Sequence, residues 1–171
     1  EEVLEDFRIA RGIYRHVERV FLADGDALVR KAEELYVILD TVRELFPECQ
    51  RVTCYASPTS LQIKSEEDLR LLRSRGLNMV YMGLESGCDE VLRRMNKGHT
   101  AQMALEQLTR LNRAQIPFFS ILIYGLGGAG WGERNAKDTA RLLSQVQSKA
   151  IVMMNLTVFP GTRLEQMCRE G

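Results

Sequence analysis

Helical and strand-like segments alternate along this whole chain, and the strand-like ones are apolar on both faces. The two observations predict an α/β fold: an open, curved parallel sheet of about five strands with helices on its outer face. The size agrees. A chain of 171 residues, 45% apolar and 27% charged, is enough for a single domain (1–171) with a real core.

Each element has its own signal in the sequence. Residues 3–17 read as a helix. RVFLAD (19–24) reads as a buried strand, closed by a Gly-Asp turn. Leu28, Ala32, Leu35, Leu39, Val42 and Phe46 recur every three or four positions, the stripe of one helix face, and Pro47 ends it. RVTCYA (51–56) is the second strand, stopped by Ser57-Pro58. Ser65 is an N-cap with Asp68 three positions on, and that helix ends at Gly76. NMVYMGL (78–84) is the third strand. A short helix follows around 88–95, Gly98 breaks it, and Thr100 caps the next, whose inner face is Ala104, Leu105, Leu108 and Leu111. Pro117 opens the strand FFSILIY (118–124), and the glycine-rich GLGGAGWG follows. Ala136, Ala140, Leu143 and Val146 mark another helix. AIVMMNLTV (150–158) is the last strand, before Pro160-Gly161-Thr162 and a terminal helix. Right-handed crossovers leave either a doubly wound sheet or a barrel, and five strands are too few to close eight.

Composition narrows the function classes. The 23 acidic residues balance the 23 basic ones, so no basic field argues for nucleic acid. The apolar runs are strand-sized, which predicts no transmembrane helix, and the acidic start EEVLEDFR is unlike a targeting peptide. The expected setting is the cytoplasm, with no membrane partner. Cys49, Cys54, Cys88 and Cys168 form no C-x2-C pair and read as scattered thiols in a reducing compartment. Two histidines, His16 and His99, argue against a histidine-rich metal site. The expectation is no metal-binding and no assignable catalytic residues.

Ligand groups in a parallel sheet come from the C-terminal ends of its strands, and here those ends collect polar and glycine residues. They are Asp24-Gly25-Asp26, Ser57-Pro58, Glu85-Ser86-Gly87, Tyr124-Gly125 and Pro160-Gly161-Thr162. Asp24 and Asp26 are read as ligand groups or as helix caps. The glycines of 125–132 suit a phosphate or plain turns. Glu85, a carboxylate directly after apolar positions, needs a partner. Lys97 supplies one as a structural bridge, or both face a ligand; the second reading is adopted. With Ser86 and the His99-Thr100 pair, they suit a zwitterionic, hydroxyl-rich molecule.

The ordered set YMGLESG, DEVLRRMNKGHT, ILIYGLGG and FPGT, with FLADGDAL before it, resembles the C-terminal part of a radical S-adenosylmethionine (radical SAM) domain. It is similar to the branch containing oxygen-independent coproporphyrinogen oxidases, methylthiotransferases and the Elongator catalytic subunit, and it spans nearly the whole chain. The resemblance implies a partial (β/α) TIM-like barrel lacking its first strand and cluster loop. It also implies two cofactors, S-adenosylmethionine and a [4Fe–4S] cluster, and generation of a 5′-deoxyadenosyl radical that takes hydrogen from an unknown substrate. Carried over position by position, Asp24 and Asp26 fall on the segment that meets the methionine amino group. Glu85 falls on the residue that hydrogen-bonds the ribose, with Ser86 beside it. Lys97 falls where relatives pair the methionine carboxylate. Ile123, Tyr124 and Gly125 match the strand that flanks adenine.

Two departures accompany the match. The C-x3-C-x2-C motif that holds the cluster is absent, so no cluster is expected in this chain. The loop after the fourth strand reads GLGGAGWGE, which displaces Glu133. Since the chain opens on a helix, the missing strand and cluster motif are expected upstream of Glu1. The expected function is the core of a radical SAM oxidoreductase, inactive as it stands. The alternative is a non-catalytic module that binds a nucleoside-like ligand or a partner. A lyase or aldolase of the TIM type is disfavoured, because no strand carries a lysine for a Schiff base. The exposed edge at 19–24 predicts self-association.

Overall fold

The computed structural model describes residues 2–23 and 25–170. Its strands are β1 (Arg19–Leu22), β2 (Arg51–Ala56), β3 (Leu77–Glu85), β4 (Phe118–Tyr124) and β5 (Ala150–Asn155). All neighbouring pairs are parallel, and their spatial order is their sequence order. Among the described residues β1 and β5 do not pair with each other, so the sheet is open. The helices are α1 (Glu2–Ile13), α2 (Ala32–Leu45), α3 (Pro58–Gln62), α4 (Glu66–Ser74), α5 (Asp89–Arg94), α6 (Ala101–Arg113), α7 (Gly132–Leu143) and α8 (Arg163–Glu170). None is long and apolar enough to cross a membrane.

The strands are apolar on both faces for two different reasons. One face is the core proper. Val52, Cys54 and Ala56 of β2, Val80, Met82 and Leu84 of β3, and Phe118 and Leu122 of β4 are buried there with Leu35, Leu39, Leu69, Leu108 and Leu111 of the helices. The opposite face carries a row of rings. Phe21 and Tyr55 lie 4.9 Å apart between centroids, Tyr55 and Tyr81 5.9 Å, and Tyr81 and Phe119 5.2 Å. Phe21 and Tyr55 remain largely exposed, so this face is open.

Several helix starts carry side-chain caps. Ser65 and Asp68 form a full capping box, each side chain accepting the other's backbone N–H (3.0 and 2.7 Å). Thr100 accepts Met103 N–H and starts α6. Several boundaries differ from the sequence reading. The first helix ends at Ile13. Ser57-Pro58 starts α3 as well as ending β2, because Ser57 caps and Pro58 occupies the first turn, where its missing N–H costs nothing. Leu28 is separated from α2: Asp26 caps a short 3-10 turn, Ala27–Val29, whose Leu28 carbonyl accepts from buried Lys64. The last strand stops at Asn155, and Val146 lies beyond α7.

Candidate functional site

The C-terminal ends of β3 and β4 form the best-defined site. Leu84 O accepts Ser86 N–H at 2.7 Å across Glu85, whose φ is +65°. That is a γ-turn of the rare positive-φ kind, strained for any residue with a Cβ. The ladder to β4 slips between Gly83 and Glu85 at the same place. The turn swings Glu85 back over Gly83, where a Cβ would sit 3.3 Å from its Oε1. Gly83 alternates with the core residues Met82 and Leu84, so the Glu85 carboxylate lies on the open face of the sheet. Its Oε1 is 3.8 Å from Lys97 Nζ, too long for a hydrogen bond. Its Oε2 is buried without a partner among the described residues.

A cavity of about 300 Å³ opens beside this turn, between the end of β4, β5 and α7. Its lining brings Glu85 together with Ile123, Tyr124 and Gly125. Leu122, Ala136, Ala140 and Leu143 make most of the wall apolar. Leu122 and the α7 residues of this wall stand on the helix-layer side of the sheet, where a flat apolar ring system fits, and the Glu85 turn borders the opening.

The remaining predicted site residues are placed elsewhere. Ser86 is buried and turned into the helix layer, 2.5 Å from Asn135 Oδ1, while its Oγ also accepts Cys88 N–H. Asp26 is occupied with the Leu28 N–H and lies near Cys54, on the core side of β2. Its Oδ2 is buried and lacks a partner among the described residues. Asp24 lies outside the described residues. Glu133 pairs with Lys137 on the exposed side of α7. Thr162 caps α8, accepting Glu165 N–H at 3.2 Å.

Sequence reasoning missed the α7 contribution. Asn135 and Thr139 are one turn apart: Asn135 Oδ1 accepts from the Ser86 hydroxyl, and Thr139 Oγ1 accepts Gly87 N–H at 2.8 Å. A Cβ on Gly87 would lie 2.6 Å from Thr139 Cα, so only glycine permits this approach. Lys64, buried with its Nζ 2.6 Å from Leu28 O, was also missed.

The family model of the radical SAM superfamily matches residues 1–143. The chain belongs to the radical SAM superfamily. It is 35% identical over 86 residues to a tRNA-2-methylthio-N(6)-dimethylallyladenosine synthase of Citrifermentans bemidjiense, covering 49% of this chain and 19% of that protein. It is 27% identical over 133 residues to the biotin synthase of Persephonella marina, covering 78% and 37%. The radical SAM fold is shared with coproporphyrinogen III oxidase of Escherichia coli, at a TM-score of 0.78 and 17% identity over 96% of this chain and 38% of that one. The chain thus spans between about a fifth and two fifths of the length of these relatives.

Radical SAM membership implies S-adenosylmethionine and a [4Fe–4S] cluster, and the residues fit the two differently. The nucleoside fits in chemistry: the apolar cavity suits adenine, and the Glu85 carboxylate, whose buried Oε2 lacks a partner among the described residues, suits ribose hydroxyls once it turns out to meet them. The cluster does not. Cys54 and Cys88 are buried, Cys49 is half-buried and Cys168 is exposed on α8. Among the described residues no three His, Cys, Asp or Glu side chains converge. Burial pushes the Cys54 thiol up to about 12, with Asp26 adding to the shift, which disfavours the thiolate that a metal needs.

Proposed function

We propose that this radical SAM chain forms the S-adenosylmethionine-binding part of an Fe–S oxidoreductase. The observation that carries the reading is Glu85: a strained, half-buried residue bordering an apolar cavity, with one carboxylate oxygen that lacks a partner among the described residues. In this reading Glu85 accepts the ribose hydroxyls and Ile123, Tyr124 and Gly125 flank the adenine. Lys97, released from its loose contact with Glu85, pairs the methionine carboxylate. When bound, and given one electron by a reduced cluster that the described cysteines do not hold, S-adenosylmethionine would supply the radical chemistry implied by the family. The residues of this chain bind and orient it, and the apolar wall excludes water from the base.

Isothermal titration with S-adenosylmethionine tests the reading. Without the anchoring cluster the expected Kd is about millimolar, a binding free energy of about −4 kcal/mol. Glu85→Ala removes a charge-assisted hydrogen bond of about 1.5–3 kcal/mol, which raises Kd at least tenfold. An unchanged Kd in Glu85→Ala contradicts the assignment.

A further inference from the structure

His99 belongs to neither the cavity nor the Glu85–Lys97 pair, yet it touches the backbone that carries each of them. The ring is buried, and its two nitrogens face two main-chain carbonyls. Nε2 is 3.3 Å from Leu84 O and Nδ1 is 3.1 Å from Lys97 O. Leu84 O is the same oxygen that accepts Ser86 N–H across the γ-turn. Two groups meet it: the Ser86 amide that closes the turn and, in the tautomer with the proton on Nε2, the His99 imidazole.

A positive-φ turn at a glutamate persists only where its surroundings over-determine it. Three contacts do so here. Asn135 and the Cys88 amide hold Ser86, Thr139 holds Gly87, and His99 holds Leu84. The first two act after Glu85. His99 alone of the three acts before it, and also reaches the loop that presents Lys97. Among the described residues no other side chain has polar atoms within hydrogen-bond distance of both backbones.

We infer that His99 is a positioning residue: its Nε2–H donates to Leu84 O and braces the strained turn that aims the Glu85 carboxylate at the ligand. Resting on the nucleoside-binding reading, the inference adds a residue that touches no ligand atom and acts through another. The imidazole locks the carbonyl orientation of Leu84, the carbonyl orientation sets the turn, and the turn sets where Glu85 Oε2 points. Without that donor the peptide at 84–85 is free to rotate towards ordinary extended geometry, which carries the carboxylate away from its place over Gly83.

Four variants of the full chain decide this, read by titration with S-adenosylmethionine and by NMR hydrogen exchange at the Ser86 amide. His99→Leu is expected to raise Kd and to speed Ser86 exchange, each about tenfold, the size of one lost hydrogen bond in a partly buried site. His99→Gln places an amide donor near the Nε2 position and restores both. His99→Asn reaches only the Nδ1 position and restores neither. In a Glu85→Ala background His99→Leu changes Kd no further, because the residue acts through Glu85. The inference is overturned if His99→Leu leaves Ser86 exchange unchanged, if Asn rescues and Gln does not, or if the loss in Kd persists in full without Glu85. A wild-type chain that binds no S-adenosylmethionine contradicts the binding reading instead, and Ser86 exchange in the Leu, Gln and Asn variants still decides the brace.

Discussion

Glu85 holds an unfavourable backbone conformation, a cost that the proposed nucleoside-binding role accounts for. A non-glycine residue at φ +65° carries about 1–3 kcal/mol of strain. A structural ion pair with Lys97 does not offset it: the separation is 3.8 Å and both side chains are partly exposed. Strain kept for ligand geometry makes a definite prediction. Glu85→Gly relieves the strain and preserves the turn, so thermal stability is expected to hold or to rise, by up to about 1 kcal/mol. S-adenosylmethionine affinity is expected to fall as in Glu85→Ala. A structural bridge predicts the reverse, a drop in melting temperature by differential scanning calorimetry with no change in affinity.

At the scale of the elements, the turn after β3 is clamped to α7 by contact too close for any side chain. A Cβ at position 87 would meet the α7 backbone at 2.6 Å, and backbone gives way only by moving the helix. Gly87→Ala is therefore expected to lower stability by about 1–3 kcal/mol in urea unfolding, the usual cost of overpacking. A change below about 0.5 kcal/mol would show that α7 is free to shift. Gly87 also shows why part of the site was legible in the sequence and part was not. The alternation of periods, the caps at Ser65 and Thr100, and the placing of Glu85 at a strand end are local signals, visible in a few residues. The Ser86–Asn135 and Gly87–Thr139 contacts join positions about fifty apart, and nothing local marks them. Ser57-Pro58 misled for a different reason: the same dipeptide that stops a strand also starts a helix. Ser86 sits beside Glu85 in sequence, but the γ-turn sends the two side chains to opposite sides of the sheet.

Taken as a whole, the molecule has one finished face and one open one. The helix side is packed aliphatic core; the other side presents the row from Phe21 to Phe119 and, at its upper edge, Glu85. Both edge strands, β1 and β5, offer unpaired backbone among the described residues, and on β5 Ile151, Met153 and Met154 are each more than half exposed. Open edges with exposed apolar side chains pair readily. Sedimentation velocity is expected to show reversible, concentration-dependent association; a single monomeric species at the highest soluble concentration would contradict this.

The central claim is that the strand ends around Glu85 form the nucleoside site of this radical SAM chain. A crystal of the chain soaked with S-adenosylmethionine tests it most directly. The account predicts ribose hydroxyls within hydrogen-bond distance of Glu85 Oε2 and adenine against Ile123, Tyr124 and Gly125. Density for the ligand on another surface, with Glu85 closed onto Lys97, would contradict it.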